Sequence, residues 1–300
     1  MTRQDTRLGV VLMISATLVF ATQDAVSRHL AAEYNTLMVV MVRYWFFAAI
    51  VIAIAARQAG GVRKAAATRQ PLLQIARGLL LAGEVCLMVV SFVLLGLAAT
   101  HSVFAAYTLL VAALSGPILG ERVGWRRWTA IAVGFVGILI ILQPGSGALQ
   151  PAALIPLAAA AGFALYSVLT RLAARQDSTA VSFFWTGTTG AVAMTVVGVW
   201  YWEPMAPRDW GWMGLLCCLG MLGHWLLIKT YEVAETSAVQ PLFYLQLVWV
   251  MALGVLLFDE VLEPHLLIGA GVVVAAGVFT LIRSRQVSQS PAQTPPQRPQ

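Results

Sequence analysis

Ten times along this chain a long apolar run is closed off by a short polar gap. The runs fall at roughly 8–28, 36–56, 72–95, 98–120, 125–143, 151–171, 178–201, 210–230, 238–258 and 265–283. A helix needs about 20 mostly apolar residues to cross a bilayer, whereas a barrel strand needs only about ten, alternating in polarity. These runs do not alternate. In lipid every backbone polar group must be satisfied within the protein, so the pattern predicts a bundle of ten membrane helices. Composition agrees, with 59% hydrophobic and 11% charged residues, against about 25% charged in an ordinary soluble domain.

Arg3 and Arg7 precede the first run, which continues past Phe20 without a small-residue cleavage site, so it reads as a span and not a cleaved leader. The tail from Ser284, "SRQVSQSPAQTPPQRPQ", is polar and proline-rich and reads as disordered. The boundary between the third and fourth spans, Gly96 to Thr100, is the shortest. Cys86, Cys217 and Cys218 lie inside apolar runs without metal-ligand spacing, as core packing residues.

With the N-terminus placed in the cytoplasm, the nineteen Lys and Arg divide unevenly. Arg28 and Arg208 fall outside, Arg43 lies within a span, and all the others fall inside. That bias orients the chain with both termini cytoplasmic. The cations form no single patch, which argues against a nucleic-acid partner.

The gaps also repeat. "GERVGW" after the fourth span corresponds to "DEVLEP" (259–264) after the ninth, and a glycine-rich span follows each. "AATHSV" (98–103) matches "AETSAV" (234–239), and "FATQDAVSR" (20–28) matches "FALYSVLTR" (163–171). Three matches in one order indicate a duplicated five-helix unit, at 1–146 and 147–283, ahead of the tail at 284–300. Five is odd, so the second copy enters the membrane upside down, with Glu121 inside and Glu260 outside. Inverted repeats of this kind are a mark of secondary transporters.

On the two acidic helix ends, "GPILGERVGWRRWTAIAVGFVGIL" and "LLFDEVLEPHLLIGAGVVVAAG", the chain resembles the drug/metabolite transporter superfamily and its ten-helix EamA-type members. Within that group it looks most like the YddG-type exporters of aromatic amino acids and related metabolites. The resemblance covers about residues 8 to 283. It implies an all-helical, basket-like bundle in a bacterial inner membrane, with a central cavity lined mainly by spans 1, 3, 4, 6, 8 and 9. Spans 5 and 10 would lie outside that cavity, where a homodimer interface is sometimes placed.

Several polar residues sit where lipid would not tolerate them unpartnered. Glu84, mid-span 3, reads as a substrate-ammonium partner, as a proton-coupling site, or as a protonated carboxyl bonded to a neighbouring helix. Asp24, beside Gln23 and on one face with Thr17 and Arg28, reads as a helix-end ion pair with Arg28, as a group solvated at the interface, or as an external gate. Arg43 balances Asp24 or Glu84, binds a carboxylate, or snorkels to the outer surface. His101 shares a face with Thr108 and Ser115. His224 makes an interhelical hydrogen bond or carries a proton, and its neighbour Trp225 walls a cavity. His29 and His265 fall in outer gaps.

Tyr107, Phe163, Tyr166, Trp185 and Tyr244 lie within spans as candidate cavity aromatics, while Trp200, Tyr201, Trp202, Trp210 and Trp212 mark the membrane boundary. Gln240 and Tyr244 are one turn apart on span 9, and Gln246 lies on another face; all three are candidate polar lining. Such a lining suits a flat apolar substrate with a small polar head. Pro117 and Pro241 interrupt spans 4 and 9 as candidate hinges. "GPILG" (116–120) and "AAAAG" (158–162) provide close helix approach.

The expected function is therefore export of amino acids or related metabolites by alternating access, with protons as the candidate coupling ion. Another metabolite or drug-like cation is the alternative substrate. A receptor subunit is a more distant reading, since a receptor has no need of the inverted repeat. Ser115 with His101 or His224 lacks a GxSG motif, so an intramembrane enzyme is disfavoured. No P-loop is present and no cofactor is implied.

Overall fold

The computed structural model describes residues 5–58, 60–120, 124–143, 151–234 and 239–289. The other positions, including Glu121, lie outside the described residues, as do the side chains of Thr6, Gln240 and 283–289.

Among the described residues, ten helices are long and apolar enough to cross a membrane: Arg7–Glu33, Thr36–Arg57, Pro71–Leu95, Leu97–Leu119, Trp125–Leu142, Pro151–Ala173, Thr179–Tyr201, Pro207–Val233, Pro241–Phe258 and Pro264–Ile282. They are spans 1 to 10. Their ends follow local chemistry. Asp5 accepts from the Leu8 amide at 3.1 Å, Asn35 from Met38 at 2.9 Å and Ser178 from Val181 at 3.4 Å, each satisfying an otherwise unpaired first-turn N–H. Pro71 and Pro207 open spans 3 and 8, where no N–H is needed. Gly96 separates spans 3 and 4 at φ +86°, a conformation that side chains resist.

Two expectations change. Span 1 runs to Glu33, so Arg28 is a full turn inside the helix. The last helix continues to Gln289, past the expected start of the tail at Ser284. The Arg283–Gln289 stretch holds no proline, and its straight-chain Arg and Gln residues favour helix.

The packing repeats as the sequence does. Span 1 packs on spans 8 and 9, and its counterpart, span 6, packs on spans 3 and 4. Spans 2 and 7 pack on each other, as do spans 5 and 10. The same packing pairs thus recur between the first five spans and the last five.

Glycines set the closest approaches, as expected where no hydrophobic drive separates helix from lipid. A Cβ on Gly137 of span 5 would lie 2.9 Å from the Gly269 carbonyl of span 10, and one on Gly269 would lie 2.7 Å from the Gly137 carbonyl. On span 7, Gly187, Gly190 and Gly198 receive Val51, Tyr44 and Met41 of span 2.

Spans 4 and 9 are both broken, at matching points. Span 4 is helical over Leu97–Phe104 and again over Tyr107–Leu119, tightening at Ala105 and Ala106. Span 9 opens with a tight 3-10 turn, Gln240–Tyr244, before the helix Leu245–Phe258. Pro241 sits inside that break. Pro117 does not mark the other, because the helix runs through it to Leu119.

Candidate functional site

The bundle encloses a cavity of about 320 Å³, within the range of small-molecule sites. Eight spans line it, not the expected six. Spans 2 and 7 contribute Arg43, Tyr44, Phe46, Phe47, Phe183 and Thr186. They do so because each packs directly on the other.

The walls are largely aromatic. Phe104, Tyr107, Phe163 and Tyr166 form a continuous row, with the Tyr107 and Phe163 rings 5.0 Å apart and Phe163 and Tyr166 5.9 Å apart. Across the cavity the His224 ring meets Phe20 at 5.3 Å and Phe183 at 6.1 Å, edge to face. His224 Nδ1 donates to the Gly220 carbonyl at 2.8 Å, an intrahelical bond in place of the expected interhelical one.

Besides His224, four groups that can carry charge face this apolar space: Asp24, Arg43, Glu84 and His101. Both carboxyls and the guanidinium come from the first repeat. The Asp24 carboxylate lies 3.1 Å from His101 Nε2 and accepts from Gln246 Nε2 at 3.1 Å. His101 stacks on Phe92 with ring centroids 5.2 Å apart and planes within 2°. Arg43 faces the cavity and does not snorkel outward. Among the described residues, neither Arg43 nor Glu84 forms an ion pair or hydrogen bond with the protein.

The expected Asp24–Arg28 pair does not form. Arg28 pairs with Glu260 from the turn after span 9, its guanidinium 4.0 Å over the Phe258 ring. The same carboxylate accepts from the Leu97 and Ala98 amides at 2.6 and 3.0 Å, capping span 4. It fits there because Gly96 and Gly254 have no side chains; a Cβ on either would lie 2.5 Å from a Glu260 oxygen.

Other expected lining residues are elsewhere. The Tyr244 hydroxyl donates to Thr108 Oγ1 at 3.0 Å and packs against Gly277 of span 10, because the 3-10 turn rotates it off the cavity face. Trp225 is 54% exposed on the lipid side, since it follows His224 by a single residue and so points about 100° away. Trp185 donates to the Ala66 carbonyl at 3.1 Å. Gln240's side chain lies outside the described residues. Gln246, Tyr107, Phe163, Tyr166 and His224 line the cavity. Cys217 lines it too, but Cys218 is exposed on the outer face.

A polar cluster that sequence reasoning missed lies at the terminal end. Arg77 is 1% exposed and donates to Thr170 Oγ1 at 3.0 Å and to Gln74 Oε1, with its guanidinium 5.3 Å from the Tyr166 ring. Gln74 and Thr68 donate to Asp177 at 2.7 and 2.5 Å. The available signal was that Arg77 and Gln74 lie inside a span and one turn apart. Among the described residues no three His, Cys, Asp or Glu side chains converge as metal ligands.

Ten apolar spans packed in two repeating sets around a polar-aromatic cavity define a multi-pass membrane carrier. The particular lineage follows from comparison: the chain belongs to the EamA-like transporter family, matched twice, at residues 7–143 and 150–282. It is 25% identical to an S-adenosylmethionine uptake transporter of Rickettsia prowazekii, covering 94% of this chain and 95% of that protein. It is 26% identical to a riboflavin transporter of Vibrio cholerae, over 90% and 92% of the two chains. It is 24% identical to the pseudopaline exporter CntI of Pseudomonas aeruginosa, over 93% and 97%. A solved crystal structure shares the fold with a TM-score of 0.62 at 18% identity, covering 92% of this chain and 98% of that one. The protein is thus a small-molecule transporter of a bacterial membrane, and not an enzyme.

Proposed function

We propose that this protein exports amino acids with a flat apolar side chain, and metabolites carrying the same head group, by alternating access across the inner membrane, with both termini cytoplasmic. One observation carries the reading: Arg43 and Glu84, of opposite charge, face one aromatic cavity, and among the described residues neither makes a hydrogen bond or close ion pair. Burying an unpaired charge is costly. A zwitterionic head satisfies both at once, its carboxylate on Arg43 and its ammonium on Glu84. The aromatic row then receives the ring. The cation bias supports the orientation, and the resemblance to YddG-type exporters supports the direction.

Uptake of S-adenosylmethionine by one relative favours a second reading, since that molecule joins an amino-acid head to a flat heterocycle. Labelled phenylalanine, tyrosine and S-adenosylmethionine flux in proteoliposomes separates the two, with riboflavin as a headless competitor. Charge-assisted hydrogen bonds contribute about 1.5–3 kcal/mol each. R43Q and E84Q should therefore each weaken half-saturation by about ten- to a hundredfold. Absence of flux above empty vesicles for every compound carrying the head would overturn the assignment.

A further inference from the structure

We infer that Asp24 and His101 together bind one proton, and that this proton holds spans 1 and 4 closed over the end of the cavity opposite the termini. The argument rests on which atoms face each other. His101 Nδ1 lies 3.2 Å from the Leu97 carbonyl oxygen, and Nε2 lies 3.1 Å from Asp24 Oδ2. A carbonyl oxygen can only accept, so Nδ1 carries a hydrogen. A carboxylate oxygen also accepts, so a proton must lie between Nε2 and Oδ2. Gln246 donates to that same oxygen, which favours imidazolium beside carboxylate. Either way the pair holds one proton more than a neutral histidine and a carboxylate would.

Loss of that proton forfeits one of the two contacts. Whichever nitrogen keeps its hydrogen, the other turns a lone pair on an oxygen. The side chains are only 8% and 14% exposed, so water does little to relieve the conflict. The consequence is mechanical, because the pair bridges spans 1 and 4, and Gln246 adds span 9. One turn away, Arg28, Glu260 and the Leu97 amide tie the same helices together in a second layer. The charged and titratable groups around the pair are Arg28 on its own span, Arg43 on span 2, Glu84 on span 3 and Cys217 and His224 on span 8. Glu260 comes from the turn before span 10. Arg28 is already engaged by Glu260, and Arg43 and Glu84 are the groups assigned above to the substrate head.

The proposal rests on alternating access but not on the substrate's identity, and its test needs no substrate. Cys217, 6% exposed and on the cavity wall, serves as reporter in a C86A/C218A background. A membrane-impermeant maleimide is added from the side opposite the termini at a series of pH values between about 5 and 8. Labelling should speed up as pH rises, by up to about tenfold per unit for a single proton beyond the thiol's own dependence. D24N lets the amide donate to a neutral His101, so the tie persists without the extra proton. Its profile should show the thiol's dependence alone, and H101Q should behave likewise. H101A should label fast at every pH. Identical profiles for the parent and both D24N and H101Q, or an H101A cavity no more accessible than the parent's, would overturn the inference. Neither outcome would touch the flux assignment, and absent flux would leave this result standing.

Discussion

Glu260 shows how one carboxylate can organise a whole end of the bundle. It neutralises Arg28, caps span 4 through two amides, and occupies the space left by two glycines. E260A leaves both amides and a half-buried guanidinium unpaired, and should lower stability in detergent by about 1–3 kcal/mol, read as a drop in melting temperature. G96A should be as damaging, since its alanine would be held at φ +86° and would displace the carboxylate as well. If G96A melts with the parent, the wedge between the glycines is not structural. Sequence spacing correctly placed Asp24 and Arg28 on one face, and for that reason suggested that they pair. It could not show that Glu260, 232 positions away, competes for Arg28.

Among the elements, the turn between spans 6 and 7 shows how loop chemistry clamps helices. Burial pulls the Asp177 carboxyl upward, but hydrogen bonds from Thr68 and Gln74 outweigh it and hold the group below its ordinary value near 3.8. A depressed carboxyl stabilises the fold above its unfolded value, and that contribution fades as pH falls through the lowered one. Melting temperature should therefore fall on acidification below about pH 4, and D177N should flatten that limb. An unchanged limb in D177N would show that other carboxylates set it. The crossing of spans 5 and 10 offers a separate test. G137V forces side-chain carbon against the Gly269 carbonyl and should cost about 1–3 kcal/mol through overpacking. These spans do not line the cavity, so transport per folded molecule should be unchanged. A changed half-saturation constant would couple this crossing to the site.

At the scale of the whole molecule, a nearly symmetric scaffold carries asymmetric chemistry. The packing pairs recur in both repeats, yet the cavity's acids and its arginine come from the first repeat alone. Exchange of conformations between halves would thus move one charged wall against a more neutral, aromatic one. Inversion has a direct check: cysteines replacing Arg126 and Glu263 should react with an impermeant reagent from opposite sides of the membrane. Reaction from one side would dismantle the repeat, and alternating access with it.

The number of spans, their order and their duplication were all legible in the chain, because lipid imposes length and polarity on each helix separately and those are properties of contiguous residues. The same holds for the Gly96 boundary, where one residue's backbone freedom ends a helix. Which charges share a cavity was decided only by tertiary structure. Helical periodicity tells which side chains share a face, as for Tyr107 or His224, but not which helix lies opposite. A 3-10 turn removed Tyr244 from the lining, and rotation about span 8 put Trp225 in lipid. The meeting of Asp24, His101 and Gln246 depends on three helices from both repeats, and no spacing within any one of them encodes it.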